Sequence, residues 1–116
     1  MIRVRKHYVL IAALSCAAAH AVAQDSAQKF PSEQFERGKT IYAKNCESCH
    51  GVAMIGPQWG IDLATFPRDN PKRFVESVTN GTTAMPPWGD VLKPEEIQAQ
   101  WAYVVTRSEE HTSERQ

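Results

Sequence analysis

The chain has 116 residues, room for one small domain, and 42% of them are hydrophobic. Thirteen lysines and arginines offset thirteen aspartates and glutamates, so no basic excess points to nucleic acid as a partner.

The first stretch reads as a targeting segment. Met1 to His7 carries Arg3, Arg5 and Lys6, Tyr8 to Ala19 is mostly apolar, and Ala21-Val22-Ala23 supplies an AxA cleavage signal. Residues 1–23 are therefore expected to be a secretory signal peptide, with the mature chain starting at Gln24 in the periplasm. The apolar run is about 12 residues, short of the roughly 20 a membrane-spanning helix needs, so no strong membrane interaction is expected after cleavage. An uncleaved anchor, or lipidation at Cys16 within Leu14-Ser15-Cys16-Ala17, is the lesser reading. Removing the three leader cations leaves ten basic residues against thirteen acidic ones, a charge near −3.

Residues 24–31 form a polar lead-in, and 32–106 carry the domain. Ser32 suits the N-cap of a first helix, Glu33 and Glu36 suit its first turn, and Phe35, Gly38, Tyr42 and Cys46 share one face. A mid-helix glycine costs about 1 kcal/mol relative to alanine, so Gly38 predicts close approach by another element. Between 52 and 70 there is no sustained periodicity. Gly56-Pro57-Gln58-Trp59-Gly60 reads as an ordered turn, with one short helical turn somewhere in the remainder. The next helix is well punctuated: Asn70 as N-cap, Pro71 in the first helical position, Phe74, Val75 and Val78 on one side, and Asn80-Gly81 as the stop.

Residues 82–90 include Met85-Pro86-Pro87-Trp88-Gly89. Successive prolines fix φ and lack donors, so this is an extended strap. A last helix begins near Lys93-Pro94-Glu95-Glu96 and places Ile97, Trp101, Val104 and Val105 on one face, with Tyr103 beside it and Gln100 as a polar interruption. No apolar residue follows Val105, and 107–116 read as a disordered tail. The string resembles the translation of a common sequencing-adapter read-through, with Arg115 where that translation has leucine, so nothing is read into His111. The fold class expected is all-α.

Chemistry concentrates in Cys46-Glu47-Ser48-Cys49-His50, a CxxCH motif. Two thiols at this spacing can each add to a haem vinyl group, and the histidine that follows is then held under the same porphyrin, within reach of the iron. A thioredoxin-like dithiol calls for a strand before the pair, and none is written here. A structural zinc calls for a fourth ligand, and outside leader and tail these three are the only Cys or His residues. For the sixth iron position the soft candidates are Met54 and Met85. Met54 follows His50 by four residues, too short a span to reach the opposite haem face, whereas Met85 has 35 residues of slack. Its competing role is core filling.

Taken together, Cys46 to Gly51, Gly56-Pro57, Asn80-Gly81 leading to Met85-Pro86-Pro87-Trp88, and Trp101-Ala102-Tyr103-Val104 resemble a small bacterial class I c-type cytochrome over residues 32–106. The resemblance implies three to four short helices wrapped around one covalently attached haem c. Cys46 and Cys49 would carry the thioethers, and His50 and Met85 would be the axial ligands. The Pro57 carbonyl would accept the second N–H of His50, with Trp59 and Trp88 lining the pocket. Gly38 and Tyr42 would pack against Tyr103 and Trp101. The loop from His50 to Met85 is short for the family, so one wall of the haem pocket would be thin or built from Trp59 and Phe66, and Gln100 stands where an aliphatic residue would pack better. The function implied is electron transfer rather than catalysis, between redox protein partners such as a periplasmic dehydrogenase and an oxidase or reductase. The alternatives are a subunit of a larger oxidoreductase complex or, with Met85 off the iron, a peroxidase-like enzyme.

Overall fold

The computed structural model describes residues 29–55 and 59–116; the leader, Cys16 and the Gly56-Pro57-Gln58 turn lie outside them. Among the described residues there are four α-helices: α1 (Ser32–Asn45), α2 (Glu47–His50), α3 (Pro71–Asn80) and α4 (Pro94–Glu114). One 3-10 turn, Leu63–Thr65, occupies the loop between α2 and α3. Among the described residues no strand is present beyond two single-pair bridges, so the all-α expectation holds.

The domain is organised around the crossing of α1 and α4. A Cβ on Gly38 would stand 2.0 Å from the Ala99 carbonyl oxygen and 3.0 Å from Tyr103 Cβ. The missing side chain is what lets the two backbones approach. Tyr42 stacks beside this contact, its ring 5.1 Å from that of Tyr103, while Phe35 lies 5.4 Å from Tyr103 on the other side. Arg37 and Glu96 pair across the rim at 3.5 Å. Trp101 does not join this crossing as expected. It is 2% exposed and forms an aromatic cluster with Phe66 and Phe74, at 6.0 and 5.1 Å between ring centres. Phe66 thereby packs in the core between the 3-10 turn, α3 and α4.

Helix ends follow local chemistry. Asn70 Oδ1 accepts from Arg73 N–H at 3.1 Å with Pro71 in the first turn, the expected start of α3. Lys93 N–H donates to the Glu96 carboxylate at 2.8 Å, which closes the start of α4; the same bond holds the Glu96 carboxyl below the usual carboxylate range, with Arg37 assisting. At α1 the cap position falls on Pro31, and no side chain caps it. Ser32 is the first helical residue, one step later than its capping role requires.

The C-terminal segment departs from the expected disordered tail. α4 runs without a break to Glu114. Ser108 is buried, its hydroxyl donating to Val104 O at 2.7 Å and Leu63 O at 3.2 Å. Arg68 meets Glu109 at 3.7 Å, and His111 Nε2 lies 3.2 Å from Ala53 O. Polar side chains, not an apolar stripe, fasten this last stretch, which is why hydrophobic periodicity gave no sign of it.

Candidate functional site

Cys46 ends α1 and leads directly into α2, whose single turn holds Cys49 and His50. Both thiols are free; Cys46 is half-buried and Cys49 exposed. Gly51 closes the turn at φ +86 and donates to Glu47 O. The chain then turns back tightly: Ala53 and Met54 take φ of +49 and +63, and Val52 bridges Ile55. Tyr42, from α1, donates its hydroxyl to Gly51 O at 2.7 Å, and burial pushes its phenol well above the ordinary value. That bond ties the motif to the α1–α4 crossing.

His50 is 8% exposed. Its Nδ1 lies 3.1 Å from Ile61 O, and because a carbonyl can only accept, Nδ1 must carry the proton. In the neutral ring this leaves Nε2 as the unprotonated nitrogen, the one a metal would take. The loop that supplies this carbonyl is pinned in turn: the Trp59 and Gly60 N–H groups both donate to Cys49 O, at 2.9 and 3.0 Å. A Cβ on Gly60 would come within 2.5 Å of the imidazole Cε1, so the bare backbone forms a cradle against the ring. Pro57, expected to supply the accepting carbonyl, lies outside the described residues; the acceptor here is Ile61. A regular loop signal could not have identified it, since any backbone carbonyl can play the part.

Met85 sits in the strap. Gly81, at φ +73, ends α3, and a Cβ there would meet Met85 O at 2.6 Å and Pro87 N at 2.8 Å. Thr82 and Met85 exchange backbone bonds of 3.0 and 2.7 Å, and the Trp88 and Gly89 N–H groups donate to Val78 O and Thr79 O at 2.9 and 3.1 Å. The strap is thus moored on the carbonyls that α3 leaves open at its end. Met85, Trp88 and Cys46 are half-buried and pack against one hydrophobic core. Met54, by contrast, is 2% exposed within that core. Trp59 is 89% exposed.

The residues present fit a covalent haem. Two free thiols and an imidazole with its Nδ1 engaged stand on one turn, and a thioether borders the same core. Beside them Val52, Ile55, Trp59 and Ile61 expose apolar side chains, chemistry suited to the faces of a porphyrin. Gln100, a residue of α4, is 3% exposed and donates through Nε2 to Cys46 Sγ. Sequence pattern marked it only as a misfit.

The family described as cytochrome C oxidase, cbb3-type, subunit III, matches residues 33–104. The chain belongs to that family of class I c-type cytochromes. Cytochrome c6 of Microcystis aeruginosa is 34% identical over 77 residues, 62% of this chain and 95% of that protein. Quinohemoprotein alcohol dehydrogenase ADH IIB of Pseudomonas putida is 33% identical over 67% of this chain but only 12% of its own length. The cbb3-type cytochrome c oxidase subunit FixP of Sinorhizobium medicae is 28% identical over 60% of this chain and 28% of its own. The cytochrome carries covalently bound haem c and is an electron-transfer protein. None of the helices among the described residues is long and apolar enough to cross a membrane.

Proposed function

We propose that this cytochrome is a periplasmic one-electron carrier in which Cys46 and Cys49 bear the haem thioethers and His50 and Met85 are the axial iron ligands. Pro57, Trp59 and Trp88 line the pocket. The observation that carries this reading is His50, buried and fixed in one tautomer one turn from two free thiols. The haem supplies a metal that gains and loses one electron. The protein's part is to keep both axial positions filled, so that little rearranges on transfer, and to favour ferrous iron through a soft sulfur ligand and apolar surroundings. A net charge near −3 is a modest excess. Partners therefore meet it through small, weak interfaces, a dehydrogenase as donor and an oxidase or reductase as acceptor.

A second reading, a subunit or domain of a larger oxidoreductase complex, is favoured by the short spans of the alcohol dehydrogenase and FixP that the chain matches. Mass spectrometry of the purified protein tests the site: the mature chain should begin at Gln24 and carry one haem through two thioethers, and free thiols at Cys46 and Cys49 would defeat the assignment. Turnover with candidate dehydrogenases tests the shuttle. Stoichiometric co-purification with a larger enzyme would select the second reading.

A further inference from the structure

Gln100 is a buried amide facing a cysteine 54 residues away in sequence. Its Nε2 donates to Cys46 Sγ, and its Oε1 is buried with no hydrogen-bond partner among the described residues. Leaving one end of an amide unsatisfied costs on the order of 1–3 kcal/mol, which an aliphatic side chain at this place would avoid. The neighbours do not require an amide: Ala99 makes the contact with Gly38, and Trp101 fills the aromatic cluster. What glutamine adds, and leucine lacks, is a hydrogen bond to the sulfur.

We propose that Gln100 is a positioning residue for haem attachment, its amide pinning the Cys46 sulfur so that Cys46, and not Cys49 alone, is joined to a vinyl group. The inference rests on the assignment of the thioethers above. In that step the S–H adds across the vinyl C=C: sulfur bonds to the carbon next to the ring, the hydrogen ends on the outer carbon, and no oxidant or reductant is consumed. A thiol both donates and accepts, whereas the thioether it becomes can only accept. A terminal amide offers an acceptor oxygen and a donor nitrogen on one plane, so a half-turn of its last torsion serves the sulfur before and after the bond forms. The two cysteines differ in need of such a hold. Cys49 is exposed, and among the described residues its sulfur takes a single hydrogen bond, from its neighbour Ser48 Oγ at 3.9 Å. Cys46 is half-buried beneath α4, where a free χ1 would divide the sulfur among staggered positions. Burial also pushes the Cys46 thiol up to about 11, with the Gln100 bond pulling against it.

The test expresses the full chain together with haem-attachment machinery as wild type, Gln100→Leu, Gln100→Met and Cys46→Ala, with Cys46→Ala/Gln100→Leu closing the cycle. Intact-mass measurement after thiol alkylation counts free Cys46, and the ferrous pyridine haemochrome band reports whether one vinyl remains conjugated with the ring. Both Gln100 substitutions should raise the single-thioether fraction about fivefold, the population ratio one hydrogen bond of ordinary strength supports, with the alkylated site at Cys46. The band should shift toward that of Cys46→Ala, and Gln100→Leu should have no added effect in that background. Unchanged proportions in both variants would overturn the proposal. So would a lower haem yield in which the surviving protein keeps both thioethers, because that marks a purely structural residue. Wild type without covalent haem would instead remove the assignment beneath it.

Discussion

At the scale of single residues, the two methionines separate cleanly by burial. Met54 is enclosed in the core and Met85 stands half-exposed in a strap moored to α3. With Met85 as the axial ligand proposed above, Met85→Ala should abolish the near-infrared sulfur-to-iron band of the oxidised protein, lower its potential and admit carbon monoxide to the ferrous form, since that soft ligand is gone. Met54→Ala should keep the band and instead cost about 2–5 kcal/mol in denaturant unfolding, as truncation of a buried methionine does. Retention of the band in Met85→Ala and its loss in Met54→Ala would reverse the assignment. Tyr42 has a different kind of task, holding the Gly51 carbonyl. Tyr42→Phe leaves that oxygen without its donor, and the expected loss is about 1–3 kcal/mol. Burial raises the Tyr42 phenol above its ordinary 10.0, so the folded state holds this proton when the unfolded chain has released it. Its stabilisation is complete below about pH 10 and falls away as pH rises toward the folded value. Urea midpoints measured on either side of pH 10 should show this decline in wild type and a smaller one in Tyr42→Phe.

At the scale of elements, the α1–α4 crossing depends on one missing side chain. Gly38→Ala would place a carbon 2.0 Å from a backbone oxygen of α4. Backbone cannot step aside as a flexible side chain can. The helices must separate, at a cost of about 3 kcal/mol, the upper end of what overpacking exacts. Chemical denaturation should register this as a lower midpoint, and since Ala99 leads directly to Gln100, haem loading should fall too. The end of α4 makes the opposite demand. Ending the chain after Thr106 removes the Ser108 bonds to Leu63 and Val104 and the His111 contact with Ala53, and should lower stability by about 1–3 kcal/mol. An unchanged melting temperature would return 107–116 to the solvated tail that their composition suggests.

For the whole molecule, about 75 domain residues are too few to build a secure core from side chains alone, and a buried porphyrin makes up much of the deficit. Val52, Ile55, Trp59 and Ile61, in the stretch that follows the motif, leave their apolar side chains exposed. Chain made without haem-attachment machinery should therefore show weak near-ultraviolet dichroism and a broad, poorly cooperative thermal transition. The haem-bearing form should unfold in a single sharp transition. A sharp transition of equal midpoint in haem-free protein would show that the helices need no such partner.

Three helices and the attachment motif were legible in the sequence because their signals are local. Asn70, Pro71 and Gly81 bracket α3, Pro94 with two acids opens α4, and CxxCH needs only its own spacing. Gly38 also announced a close approach, since a mid-helix glycine has a cost that a neighbour must offset. Local signals could not say what that neighbour was. Ala99 and Tyr103 meet Gly38, while Trp101 packs with Phe66 and Phe74. The Ile61 carbonyl that fixes His50, the burial of Met54 and the hydrogen bond from Gln100 to Cys46 are likewise contacts between distant parts of the chain. Periodicity marks which residues are apolar, but a hydrogen bond across tens of residues leaves no period to read. The same holds for the last stretch of α4, where Ser108 and His111 are positioned by partners in loops that only the folded chain brings alongside.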